Sequence, residues 1–220
     1  EGEEHAEEHA DHDAEAHDDH AHEAEAEAGN DHEAEEHDHD AHEGHDHGEE
    51  LDMHFFLDPA NAAVMVDTIA AALSAADPDD AATYAANAAA TKADLEALTA
   101  EVTTKLAPVK DRPVVVFHDA YQYFENRFGL NVAGSITVNP ENAPGAARIG
   151  EIRAKLGELE TACVFAEPQF DKRVVDVLTE GTTARQGVLD PEGADIEPGP
   201  GAYRQLIERL ADNLVACLDQ

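Results

Sequence analysis

The chain has 220 residues, with 50 acidic and 13 basic side chains and a formal net charge of −37. This charge argues against nucleic acid and anionic membrane surfaces as partners, because both are polyanions, and it favours cations. The sequence contains no phosphate-binding loop and no serine-nucleophile motif, and nothing in it points to a hydrolase.

Residues 1–50 form a low-complexity segment built from six residue types, with 23 acidic residues and 12 histidines. The segment has no apolar side chain larger than Ala, so we predict that it is disordered unless something binds it. Subtracting its charge leaves −14 on residues 51–220. These 170 residues suffice for one compact domain, or for one domain plus a fragment of another. The start lacks an initiator Met and a signal-peptide pattern, so we expect it to be internal or processed.

Two helices are predicted first. Large apolar side chains begin at 51–59, and apolar spacing predicts a helix over 61–76, initiated by Asp58 with Pro59 at its first position. A longer, Ala-rich helix is predicted over 79–106, ended by Pro108. No uncharged apolar run approaches the roughly 18 residues of a membrane span, so we predict no membrane insertion.

Beyond Pro113, short apolar runs alternate with helical segments. The predicted strands are 114–117, 132–138, 162–166 and 184–189, and the predicted helices are 121–128, 146–159, 172–179 and 203–218. Because parallel strands need crossover connections, this alternation predicts an α/β fold with a four-stranded, mainly parallel sheet. Ligands of such sheets bind beyond the carboxyl ends of the strands.

Three of the four predicted strand ends carry a metal-ligating residue type: His118, Glu167 and Asp190. Each has an alternative role as a cap or turn residue, and Glu167 is considered only as an acceptor that orients an imidazole. His54 is the other histidine outside the acidic segment. Imidazole with carboxylate suits a divalent transition metal better than Mg or Ca.

The two cysteines, Cys163 in the third predicted strand and Cys217 in the last helix, match no structural zinc spacing. The residues alone leave open two buried thiols or one disulfide, the latter favoured outside the cytosol.

Several strings, taken together and in order, resemble the zinc-specific branch of the metal-binding solute-binding proteins (cluster A-I) that serve ABC importers. They are MHFFLDPAN at 53–61, VFHDAYQYF at 116–124, GSITVNP at 134–140, PG at 144–145, CVFAEPQF at 163–170 and LDP at 189–191. In Gram-negative bacteria such proteins are periplasmic.

The resemblance implies two lobes joined by a long rigid helix, with the metal in the cleft between them. It assigns 51–78 to a remnant of the first lobe, 79–108 to the interlobe helix and 109–220 to the C-terminal α/β lobe. The rest of the first lobe, with a further ligand His, would lie upstream of this sequence.

By the same resemblance, His54 is a Zn(II) ligand from the first lobe and His118 one from the second, while either Asp190 or solvent completes the site. It also implies a Cys163–Cys217 disulfide. The implied protein is a monomer that binds zinc, passes it to a membrane ABC permease and is not an enzyme.

The acidic segment matches the charged loop of this branch, and we predict that its histidines form weak auxiliary sites. They are His5, His9, His12, His17, His20, His22, His32, His37, His39, His42, His45 and His47. An alternative is a zinc buffer or metallochaperone that acts mainly through this segment. A metallohydrolase is a more distant alternative.

Overall fold

The computed structural model describes residues 52–137, 144–159 and 163–219. Residues 1–50, with the twelve histidines and the predicted disorder, lie outside the described residues. So do the predicted ends of two strands, Val138 and Ala162.

Two helices open the described part of the chain. They follow a short 3₁₀ turn at His54–Leu57, which was not predicted from the sequence. Helix α1 runs Pro59–Ala76, and Asp58 caps it by accepting from the Ala60 backbone N–H at 2.8 Å. Helix α2 runs Ala81–Leu106 after a 3₁₀ turn at Pro78–Asp80. The structure therefore confirms the predicted cap of α1 and the Pro at its first position. The predicted bounds of both helices agree with the observed ones to within about two residues.

The remaining elements alternate as predicted and form one sheet in the order β2-β1-β3-β4, with all three pairs parallel. The strands are β1 Val114–His118, β2 Val132–Thr137, β3 Cys163–Ala166 and β4 Arg185–Val188. The helices are α3 Gln122–Phe128, α4 Ala146–Glu158, α5 Arg173–Thr179 and α6 Ala202–Leu218. Gly129, at φ 68°, ends α3 in the left-handed conformation that favours glycine.

Helices cover both faces of the sheet. Alternate side chains of a strand point to opposite faces, so each central strand contributes to two cores. Val114 and Val116 of β1 belong to a core with α2, α3 and α6, whereas Val115 and Phe117 belong to a second core with α4 and α5. All five residues of β1 are buried. This double coverage explains why the strand reads as a continuous apolar run.

Helix α1 packs on α2 but presents an apolar face outward, with Val64, Ile69 and Leu73 all exposed. By length and composition alone, α1 is the one helix in the described part of the chain that could cross a membrane. Its only charged residue, Asp67, pairs with Lys92 of α2 at 2.6 Å.

Cys163 of β3 and Cys217 of α6 form a disulfide, as the family resemblance implied. Both residues are buried, and the bond ties the last helix to the middle of the sheet. The two positions are 54 residues apart, so the bond restricts a large loop of the unfolded chain.

Replacing both cysteines by Ala in the full-length protein is expected to lower the free energy of unfolding by about 4 kcal/mol, the loop-closure value for this separation. Urea denaturation monitored by circular dichroism measures the change. Peptide mapping of the unreduced protein should find Cys163 and Cys217 protected from alkylation; two alkylated thiols would contradict the assignment.

Candidate metal site

The parallel register of β1 and β3 brings His118 and Glu167 to the same level at the carboxyl edge of the sheet. Val114 pairs with Cys163 and Val115 with Val164, so positions 118 and 167 lie equally far along the two strands. His118 is 8% exposed and Glu167 2% exposed.

Glu167 holds His118 through several hydrogen bonds. The ring Nδ1 lies 2.8 Å and 2.7 Å from the two carboxylate oxygens, and the His118 backbone N–H lies 3.4 Å from Oε1. Carboxylate oxygens accept hydrogen bonds, so this geometry favours the neutral tautomer with the proton on Nδ1 and the lone pair on Nε2. This geometry agrees with the role suggested for Glu167 from the sequence, that of a hydrogen-bond acceptor that orients an imidazole.

Tyr121 supplies a further donor to the buried carboxylate. Its hydroxyl donates to Oε1 of Glu167 at 3.1 Å. Burial, followed by the charge and hydrogen bonding of Glu167, raises the pKa of Tyr121 well above its usual value. The hydroxyl therefore remains a donor across the physiological pH range.

His54 lies on the 54–57 turn and faces His118. Its ring Nδ1 is 2.7 Å from Oδ1 of Asp52, and the same oxygen accepts from the His54 backbone N–H at 2.8 Å. Oδ2 of Asp52 accepts from the Gln122 side-chain amide at 2.6 Å. Burial alone raises the pKa of Asp52, but the hydrogen bonds from His54 and Gln122 outweigh it and lower the pKa overall.

The two rings meet at their free nitrogens. Nε2 of His54 lies 3.4 Å from Nε2 of His118, with ring centroids 5.2 Å apart and planes at 63°. With both protons on Nδ1, the facing atoms are two acceptors that repel each other unless a cation lies between them. Two imidazole nitrogens on a tetrahedral zinc, at about 2.0–2.1 Å each, lie about 3.3 Å apart.

The 54–57 turn is anchored to elements far along the chain. Arg127 of α3 forms two hydrogen bonds with Asp58, from Nε at 2.6 Å and from Nη2 at 2.7 Å. The Tyr203 hydroxyl of α6 donates to the Phe56 carbonyl at 2.8 Å. These contacts fix the turn against the α/β domain.

Asp190 lies at the same edge, but its oxygens are engaged elsewhere. Oδ1 accepts from the backbone N–H groups of Glu192 and Gly193 and from the Gln169 amide, and Oδ2 accepts from the Ala194 N–H at 2.7 Å. Burial by itself raises the pKa of Asp190, but the hydrogen bonds from Gln169 and from the backbone outweigh burial and lower the pKa overall. This geometry favours the turn-capping alternative, and the ligand role of Asp190 stays a prediction.

Among the described residues, no group of three or more His, Cys, Asp or Glu side chains is placed to hold a metal ion. The structure brings together the two predicted histidines, His54 and His118. Sequence reasoning missed Asp52, Tyr121, Gln122 and Arg127. Closeness in sequence to a predicted histidine could have identified two of them: Asp52 lies two residues before His54, and Tyr121 lies three residues after His118.

The described residues form an α/β domain in which two imidazoles converge at one edge of a parallel sheet. The family described as "ZnuA: Zinc-uptake complex component A periplasmic" matches residues 2–217. The chain belongs to this family.

Among its relatives is the high-affinity zinc uptake system protein ZnuA of Brucella suis biovar 1 (strain 1330), 54% identical over 171 residues, or 78% of this chain and 51% of the relative. A crystal structure of ZnuA superposes with a TM-score of 0.67 at 28% identity, covering 76% of this chain and 60% of that one. A ZnuA deletion mutant with zinc bound gives 0.65 at 28% identity, covering 76% and 61%. The chain spans about half the length of the curated relatives that it matches.

Replacing Glu167 by Ala is expected to destabilise the protein by about 1–3 kcal/mol for each buried donor that it leaves unpaired. Combined with Tyr121→Phe, the loss should be smaller than the sum of the two, because both variants remove one shared hydrogen bond. Denaturant unfolding of the full-length variants measures this coupling. The matched control is Glu151→Ala, an exposed acid whose loss should change stability little; additive losses at 121 and 167 would contradict the shared bond.

Proposed function

We propose that this chain is the C-terminal part of a periplasmic solute-binding protein that captures Zn(II) between two lobes and delivers it to a membrane ABC permease. The observation that carries the proposal is the 3.4 Å approach of two Nε2 atoms, each on a ring whose Nδ1 is held by a carboxylate. The names of the relatives as zinc uptake proteins and the zinc-bound ZnuA neighbour support it.

His54 and His118 are the two proposed zinc ligands within the described residues. Imidazole favours zinc over hard cations such as Mg or Ca. The remaining positions of the zinc are filled by a ligand from the missing first lobe and by solvent or Asp190. Zinc is the cargo and not a cofactor, and the protein is proposed to have no enzymatic activity, because the relatives that it matches are named as zinc uptake proteins.

The domain assignment is part of the proposal. Residues 51–78 are a remnant of the first lobe, 79–108 form the interlobe helix and 109–220 form the second lobe. The exposed apolar face of α1 and the half-length match to the relatives support it, since the rest of the first lobe would cover that face. Helix α1 then packs against protein and does not enter a membrane.

The proposed location is the periplasm, and the proposed state is a monomer. The family description contains the word periplasmic. The disulfide supports an oxidising compartment, because structural disulfides persist outside the reducing cytosol.

Residues 1–50 are proposed to be an auxiliary zinc collector. Twelve histidines beside 23 carboxylates offer many weak sites, since a segment without large apolar side chains gains no burial energy to offset the entropy of closing each site. The same composition favours the second candidate function, a zinc buffer or metallochaperone in which this segment does the main binding. The number and strength of the sites distinguish the two functions.

His118→Ala and His54→Ala in the full-length protein are each expected to weaken zinc binding at least tenfold, because each removes one of three or four ligands. Competition with a chelator of known affinity measures the dissociation constant. His47→Ala, which removes a histidine of the acidic segment, is the control. Unchanged affinity in both ring variants would contradict the site.

Deleting residues 1–50 from the full-length protein is expected to leave one tight zinc site and to remove several weaker ones. Calorimetric titration with and without the segment gives the stoichiometry, and the weak sites should fade as salt screens the acidic charge. Loss of the tight site on deletion would contradict the collector role and would mean that the segment supplies a ligand to that site.

A further inference from the structure

His54 needs an outside restraint to act as a defined ligand. It lies on a turn of four residues, and its side chain is 28% exposed. Among the described residues, its aromatic neighbours are His118 at 5.2 Å and Phe56 at 6.3 Å between ring centroids, and neither covers the ring closely. A half-buried imidazole in such a place turns about its last side-chain torsion and exchanges between two tautomers.

Asp52 provides this restraint with a single oxygen. Oδ1 accepts from both the backbone N–H and the ring Nδ1 of His54, at 2.8 Å and 2.7 Å. The two bonds fix the ring relative to its own backbone and select the tautomer with a free Nε2 lone pair. The Asp52 side chain is only 7% exposed, so water competes little for this oxygen.

Gln122 fixes the carboxylate in turn. Its amide donates to Oδ2 of Asp52 at 2.6 Å, across 70 positions of sequence. Gln122 begins α3, four residues after His118. The stretch 118–122 therefore contributes one imidazole directly and orients the other through Gln122 and Asp52.

We propose that Asp52 and Gln122 are a positioning pair that sets the tautomer and orientation of His54 before zinc arrives. This inference rests on the proposed zinc function and deepens it. The pair acts through His54 and does not touch the metal. It gives His54 the same carboxylate support that Glu167 gives His118, so both lone pairs converge without rearrangement.

The pair raises zinc affinity in two ways. A carboxylate on Nδ1 increases the basicity of Nε2, and a preset ring loses less freedom on binding. Loss of such an outer partner typically weakens metal binding by about 10–100-fold. Loss of Gln122 removes one supporting hydrogen bond and has a smaller effect, about 3–10-fold.

The test compares Asp52→Ala, Asp52→Asn and Gln122→Ala in the full-length protein. Chelator competition gives the zinc dissociation constant. Nitrogen-15 NMR of the zinc-free protein, at a pH where the rings are neutral, reports whether the His54 proton is on Nδ1 or Nε2. The controls are Asp111→Ala and Gln205→Ala, an exposed acid and an exposed glutamine on the first turn of another helix.

Asp52→Ala is expected to weaken binding by about 10–100-fold and to lose the Nδ1–H tautomer. Asp52→Asn keeps an acceptor without the charge and should restore the tautomer and much of the affinity. The controls should match the parent protein in both measurements.

The outcomes separate the positioning role from the proposed function. If His54→Ala and His118→Ala keep their affinity, the zinc site itself is wrong. If those variants lose affinity while Asp52→Ala keeps the parent affinity, or loses affinity with the tautomer unchanged, the positioning pair is overturned. If Asp52→Asn binds zinc as weakly as Asp52→Ala, the effect comes from the charge of Asp52 alone, and the positioning role is also overturned.

Discussion

The parallel pairing of β1 with β3 is the constraint on which the candidate site depends. Parallel neighbours end at the same edge of a sheet, so a residue after one strand meets a residue after the other. The observed register sets His118 level with Glu167, whereas β4, paired with β3 through Ala166 and Val188, places Asp190 one step further along. A shift of one residue in either pair would move the side chains to the opposite faces of the sheet.

Electrostatics explains why this site suits a divalent cation. Behind each of the two facing Nε2 atoms, a carboxylate of Asp52 or Glu167 accepts from Nδ1 of the same ring. Burial of the Glu167 charge is unfavourable by itself, and the donors on His118 and Tyr121 offset that penalty. A cation between the two Nε2 atoms would be stabilised by both carboxylates through the rings.

The sequence predicted the order and type of nearly every main element because the local signals agree with the fold. The buried strands are continuous apolar runs, Pro and Gly mark the ends of helices, and Asp58 is a strong cap. The 54–57 turn was missed because a turn of four residues has no periodicity to detect. His54 and His118 were identified as candidate ligands from their residue type together with the family resemblance.

The contacts that orient these histidines were not predictable in the same way. Gln122 meets Asp52 across 70 positions and Arg127 meets Asp58 across 69, and a pattern read along the chain contains no information on such pairs. Glu167 was identifiable only as one of several strand-end residues. Its bond to His118 depends on the strand register, which the alternation of apolar residues does not define between different strands.

The hydrogen bond from Tyr203 to the Phe56 carbonyl spans 147 residues and has a consequence for the order of assembly. The turn that carries His54 is synthesised well before its anchor on α6, which lies 147 residues further along the chain. That helix is also the one that the disulfide ties to β3. The anchoring of the His54 turn to α6 therefore cannot form until α6 has been synthesised.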